Sequence, residues 1–153
     1  MNGDGFLNMC GHGSIGIMML AVTQELVSKQ SSPVKVVLET PAGLVTGFVE
    51  YTANGTGEVT LHGVPSFLMS QDIEIRLDRD LTLSVDVAHG GNFFGLIDAQ
   101  QLDASLEEMT TRQLKEIAAE VCYALNQKMD VIHPEDCEIR GVDHIKIDQD
   151  QGD

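Results

Sequence analysis

From Ile15 to Val22 the chain reads Ile-Gly-Ile-Met-Met-Leu-Ala-Val, with no polar side chain. Residues 13–28 read as a helix, and its first half has almost no polar face. A helix that is apolar all round has to be enclosed, so the rest of the chain must supply something that packs around it. Ser31-Ser32-Pro33 is the expected stop. The apolar run is less than half of the roughly 20 residues that span a bilayer, which makes it a core element and not a membrane anchor.

The enclosing material follows directly. Val34 to Glu39 is β-branched and bounded by Pro33 and Pro41, and Leu44 to Tyr51 is a second strand whose alternation is broken at Gly47. Asn54-Gly55-Thr56-Gly57 is a hairpin signal, and Glu58 to Leu61 alternates polar with apolar. These segments predict an antiparallel meander over one side of the helix. Upstream, Phe6-Leu7-Asn8-Met9 reads as a short strand after a glycine turn, and its abrupt start suggests part of a longer chain.

Asp72 to Leu77, Leu81 to Val87 and Phe93 to Asp98 read as further strands. Asp78-Arg79-Asp80 is a charged break, which sets the expected division at 1–78 and 79–153. A second helix is expected over 105–127, where Leu114, Ile117, Ala118, Val121, Cys122 and Leu125 form an amphipathic stripe. Its start is open by one turn, because Ser105 with Glu108 and Thr110 with Gln113 both fit a capping box. A last strand falls near Asp143 to Ile147.

Composition removes some functions. A net charge of −15 argues against nucleic-acid binding, which needs basic residues to displace counterions. The three cysteines, Cys10, Cys122 and Cys137, form no CxxC pair, and His62, His133 and His144 join no spaced ligand set, so a metal centre is not expected. No basic signal-peptide region precedes the first helix, and a cytoplasmic location is the default expectation.

Chemistry concentrates in Met9-Cys10-Gly11-His12-Gly13-Ser14-Ile15-Gly16. A thiol at a helix N-terminus meets unpaired N–H groups and the positive end of the dipole, both of which favour thiolate. Gly11 and Gly13 let a ligand come close, so the N–H groups of Gly11, His12 and Gly13 could hold a carboxylate. Against this stands the plain alternative of a buried structural cysteine, the fate of most free cysteines. From the residues alone the two divide about evenly, and the flanking glycines tilt the balance because packing does not need them. A second glycine-rich point, Ala88-His89-Gly90-Gly91-Asn92 between apolar strands, suggests close backbone approach to a ligand.

These residues carry a resemblance. Met9 to Gly16 opening an apolar helix resembles the first cysteine motif of the proline racemase family, which includes the hydroxyproline epimerases. Asn2-Gly3-Asp4-Gly5-Phe6-Leu7-Asn8 and Asp86-Val87-Ala88-His89-Gly90-Gly91-Asn92-Phe93-Phe94 are similar to other stretches of that family. The resemblance implies an α+β chain of the diaminopimelate epimerase-like two-lobe fold. Each lobe there is a mixed, mostly antiparallel sheet around a central helix, and the present chain would be incomplete. It also implies cofactor-free racemisation or epimerisation at the α-carbon of proline or 4-hydroxyproline, with two cysteines exchanging the roles of base and acid. Carried over, Cys10 is one of the pair, Gly11, His12 and Gly13 bind substrate, and His89, Gly90 and Asn92 lie near the interlobe cleft. The implied partner is the small imino acid, with no nucleic acid and no membrane, and a homodimer is compatible.

The family's second motif, Asp-Arg-Ser-Pro-Cys-Gly-Thr-Gly, has no match in the 153 residues. Cys122 lies on the apolar stripe, where core packing is the better reading, and Cys137 sits among acids that disfavour thiolate. The expectation is therefore a partial racemase, inactive alone. A hydroxyproline dehydratase-like enzyme using one base, or a non-catalytic imino-acid-binding protein, are the alternatives.

Overall fold

The computed structural model describes residues 6–52, 55–78, 80–102 and 104–149. Helix α1 (Gly11–Thr23) is followed by strands β1 (Val34–Thr40), β2 (Gly43–Thr52), β3 (Gly55–His62), β4 (Phe67–Arg76), β5 (Thr82–His89) and β6 (Phe93–Asp98), then helix α2 (Thr111–Lys128) and strand β7 (Val142–Asp148). The chain separates into two compact units, Met1–Pro65 and Ser66–Asp153. No helix among the described residues is long and apolar enough to cross a membrane.

In the first unit β1, β2 and β3 form an antiparallel meander in sequence order, as expected. The β1–β2 hairpin closes at Thr40 opposite Gly43, whose φ of +118° needs glycine. The expected four-residue turn after β2 is tighter than the sequence suggests: Thr52 pairs with Gly55, so Gly57 already lies in β3, and Asn54 is outside the described residues. One face of α1 presents Met18 and Val22 to Val34, Val36, Val45 and Val49, and these six form the core.

Two expectations for α1 are corrected. The helix stops at Thr23, well before Ser31-Ser32-Pro33. Glu25 takes a left-handed φ of 57°, the Leu26 N–H donates to the Ala21 carbonyl, and the Glu25 N–H donates to Val22. That pair of bonds is a Schellman stop, here built on glutamate in place of glycine. Nor is the helix enclosed on all sides among the described residues. Three strands cover one side, and Ile17 and Leu20 are each 56% exposed. The short strand expected at 6–9 is not formed: these residues take no regular secondary structure, although the Asn8 carbonyl accepts from the Ala42 N–H at 3.2 Å.

In the second unit the sheet order is β4-β5-β6-β7, antiparallel except for the parallel pair β6–β7. The parallel pair needs a crossover, which α2 supplies. Leu83, Val85 and Val87 of β5, Phe93 and Ile97 of β6, and Ile117, Val121 and Leu125 of α2 are buried. Of the two caps offered by the sequence, Thr110 with Gln113 forms the full capping box, while Ser105 and Glu108 make only a turn. The unit boundary falls at Pro65/Ser66 and not at 78/79. The reason is the ladder: β4 pairs with β5 from Phe67 opposite His89 to Arg76 opposite Thr82, so Asp78 and Asp80 lie between two paired strands of one sheet, and Arg79 lies outside the described residues.

Candidate active site

Cys10 is the N-cap of α1, with extended backbone at φ −134° and ψ 114°. Its carbonyl accepts from the Ser14 N–H at 2.9 Å, which opens the helix. Its Sγ accepts from the Gly13 N–H at 3.5 Å. The thiol thus occupies the place that serine, threonine or aspartate usually fills. Helix geometry leaves the N–H groups of Gly11 and His12 without intrahelical acceptors. Cys10, His12 and Gly13 are exposed and Gly11 is half-buried.

The glycines around the thiol are not required by packing. Among the described residues, and apart from its chain neighbours and its own helix backbone, a Cβ on Gly11 would meet Leu61 Cδ2 at 3.8 Å, and one on Gly13 would meet Cys10 Cβ and Sγ at 3.6 Å. Both are ordinary van der Waals separations, and neither residue has a positive φ. A β-carbon at either position would therefore fit without displacing a neighbour. Among the described residues, beyond its chain neighbours and its own helix backbone, nothing lies within 4 Å of such a Cβ on Gly16. Gly47 is different: a Cβ there would collide with the Met18 side chain, so it is a packing glycine.

His89, Gly90 and Asn92 belong to the second unit, at the β5–β6 hairpin. The Gly90 N–H donates to the Asn92 carbonyl at 3.1 Å, and Gly91 has a φ of +99°, which accounts for glycine there. His89 and Asn92 are each only 3% exposed, so their side chains face the interior of the unit. The His89 ring packs against Phe67, Phe93 and His133 at centroid distances of 5.1, 4.9 and 4.7 Å. Among the described residues, beyond its chain neighbours, nothing lies within 4 Å of a Cβ position at Gly90. His133 belongs to no site motif in the sequence. It joins this ring cluster through contacts between segments far apart in the chain, which no local pattern announces.

The remaining cysteines sit differently. Cys122 is half-buried on α2, and its Sγ donates to the Val142 carbonyl at 3.1 Å. Burial pushes its thiol above the ordinary cysteine range, and the Asp143 carboxylate adds to the effect. Cys137 is exposed in the loop before β7. Among the described residues no three His, Cys, Asp or Glu side chains are arranged to hold a metal ion. A cleft of about 660 Å³ on the second unit is lined by Asp72, Asp86, Asp98 and Asp148 and contains none of the expected site residues. Four carboxylates make it a poor receptor for a carboxylate ligand.

A family model described as proline racemase matches residues 1–153. The chain is 36% identical over 147 residues to the proline racemase of Clostridioides difficile, covering 96% of this chain and 44% of that protein. It is 35% identical over 142 residues to the 4-hydroxyproline 2-epimerase of Ancylobacter novellus, covering 93% and 42%. A crystal structure of a hydroxyproline epimerase from Agrobacterium vitis, with bound trans-4-hydroxy-L-proline, superposes with a TM-score of 0.89 at 30% identity. It covers 98% of this chain and 44% of that one, so the chain spans less than half the length of the relatives it matches. The whole length of the chain matches a single family model, and the fold likeness accompanies the sequence likeness throughout: the chain belongs to the proline racemase family.

Proposed function

We propose that the chain carries the first-cysteine half of a cofactor-independent racemase or epimerase acting at the α-carbon of proline or 4-hydroxyproline. The observation that carries this reading is the Cys10 thiol at the exposed N-cap of α1, with the Gly13 N–H directed at its sulfur. In this reading the Cys10 thiolate takes the α-proton, leaving the electron pair on the α-carbon. A second thiol delivers a proton to the opposite face, and the two exchange roles in the reverse direction. The N–H groups of Gly11 and His12 bind the substrate carboxylate, and the Gly13 N–H, held on Cys10 Sγ, completes the set of donors around the site. In the second unit, Gly90 offers open backbone, and His89 and Asn92 hold the hairpin from beneath.

The family's second cysteine motif is not among the 153 residues, so the chain alone is proposed to be inactive. Racemase and epimerase names among the relatives favour stereoinversion over elimination of water. The test is differential alkylation of the folded chain, read site by site by mass spectrometry. Cys10 is expected to react several-fold faster than Cys122 at neutral pH. Equal rates would remove the basis of the proposal.

A further inference from the structure

We propose that His133, in the loop between α2 and β7, is a positioning residue for Gly90: its ring, set against the ring of His89, fixes the β5–β6 hairpin. This deepens the proposed function and rests on the reading of Gly90 as backbone offered to the substrate. His89 is the last residue of β5, and Gly90 and Gly91 follow it. Two glycines in succession give the turn little restraint of its own. The His89 ring packs on three others. Phe67 and Phe93 are its ladder partners on β4 and β6, so they travel with the sheet. His133 comes from outside the sheet, and its ring centroid lies 4.7 Å from that of His89 at an interplanar angle of 63°. It also stands edge-on to Phe67 at 5.4 Å. Such edge-to-face pairs are a preferred arrangement of rings.

His133 is itself well anchored. Its backbone N–H donates to the Ile139 carbonyl at 2.9 Å, and the Gly141 N–H donates to the Val131 carbonyl at 2.8 Å. Between those bonds Ile132 forms a bridge with Arg140, and Val131 and Ile139 are buried. The side chain is tied down as well, because its Nδ1 accepts from the Glu135 N–H at 3.2 Å. A ring nitrogen that accepts carries no proton, so the neutral ring has its proton on Nε2. With its backbone and one ring nitrogen both held by its own loop, the ring meets His89 from a defined direction. A load on Gly90 is then passed through His89 to a segment anchored independently of the hairpin.

Amide hydrogen exchange on the full chain, followed by NMR, tests this. The Gly90 N–H, which donates to the Asn92 carbonyl at 3.1 Å, reports on the hairpin. The Leu77 N–H, which donates to the Leu81 carbonyl at 2.8 Å ahead of β5, reports on the sheet as a whole. His133→Asn keeps an acceptor oxygen where Nδ1 stands and removes the rest of the ring, whereas His133→Phe keeps a ring and removes the acceptor. His133→Asn is expected to speed Gly90 exchange relative to Leu77 by roughly fivefold or more, the scale of one lost aromatic contact. His133→Phe is expected to hold the ratio near the wild-type value. Should His133→Asn fail to fold, His133→Leu takes its place, with the same rise expected. In the wild type, long-range proton–nitrogen correlation spectra at neutral pH are expected to put the proton of His133 on Nε2. A ratio unchanged on removing the ring, a ratio raised equally by His133→Phe, or a neutral His133 with its proton on Nδ1 overturns the proposal. The two failures are separable: a wild-type Cys10 no faster than Cys122 sinks the functional reading, whereas Gly90 exchange indifferent to His133 sinks only this inference.

Discussion

Met18 fills the space above Gly47: any β-carbon at position 47 would overlap its sulfur. Met18 is fully buried and the sulfur lies in the middle of its side chain, so it has no free path of retreat. This contact joins α1 to the central strand of its meander. Gly47→Ala is therefore expected to destabilise the first unit by about 1–3 kcal/mol through overpacking. Gly16→Ala, on the same helix with nothing within 4 Å, is expected to stabilise by about 0.5–1 kcal/mol. Denaturant unfolding should show the two alanines acting with opposite sign.

Gly11→Ala and Gly13→Ala test whether the site glycines serve the fold. New β-carbons would sit at 3.6–3.8 Å from their neighbours, within a helix. Both variants are expected to unfold no earlier than the wild type. A loss of more than about 1 kcal/mol in either would make that glycine a packing requirement and remove its ligand reading.

On α2, Asn126 grips the start of β7 with both ends of its carboxamide. Its Oδ1 accepts from the Val142 N–H at 2.8 Å and its Nδ2 donates to the Val142 carbonyl at 3.0 Å. Val142 is buried, so Asn126→Ala is expected to cost about 1–3 kcal/mol by leaving these groups without the carboxamide. Exposed Gln127→Ala should be near neutral. Hydrogen exchange at the Val142 amide is the direct check, and unaltered protection in Asn126→Ala would contradict the prediction.

Burial first, and Asp143 second, hold the Cys122 thiol above the usual range. The folded state therefore keeps a proton that the unfolded state has already released. This contribution to stability is complete below the unfolded cysteine pKa, about 8.5, and is lost as pH rises through the folded value. Stability measured from about pH 7 to pH 10 should fall more steeply in the wild type than in Cys122→Ala. Asp143→Asn should speed alkylation of Cys122 by removing the second cause. Parallel stability curves for the wild type and Cys122→Ala would count against this account.

Much of this was legible along the chain. Val34 and Val36 alternate with Lys35, and the Thr110–Gln113 box is a local signal that folding preserves. The Cys10 motif was legible for the same reason, since an N-cap depends on residues adjacent in sequence. The failures share one cause. Asp78-Arg79-Asp80 looks like a boundary because charge is visible locally, but the pairing of β4 with β5 is not. The apolar run extends past the true end of α1 at Thr23 because Glu25 carries no sequence signal of its left-handed turn.

By itself, then, the sequence determined the elements, the glycine-flanked thiol at the head of an apolar helix, and membership of the proline racemase family. These follow from periodicity, capping and motif, which act over a few residues. Only the tertiary structure decided that Gly47 is a packing glycine while Gly11 is not, and that His89 faces inward onto His133. Each of those depends on which segments pack together across many residues of chain, where the gain is burial and shape and no local pattern records it.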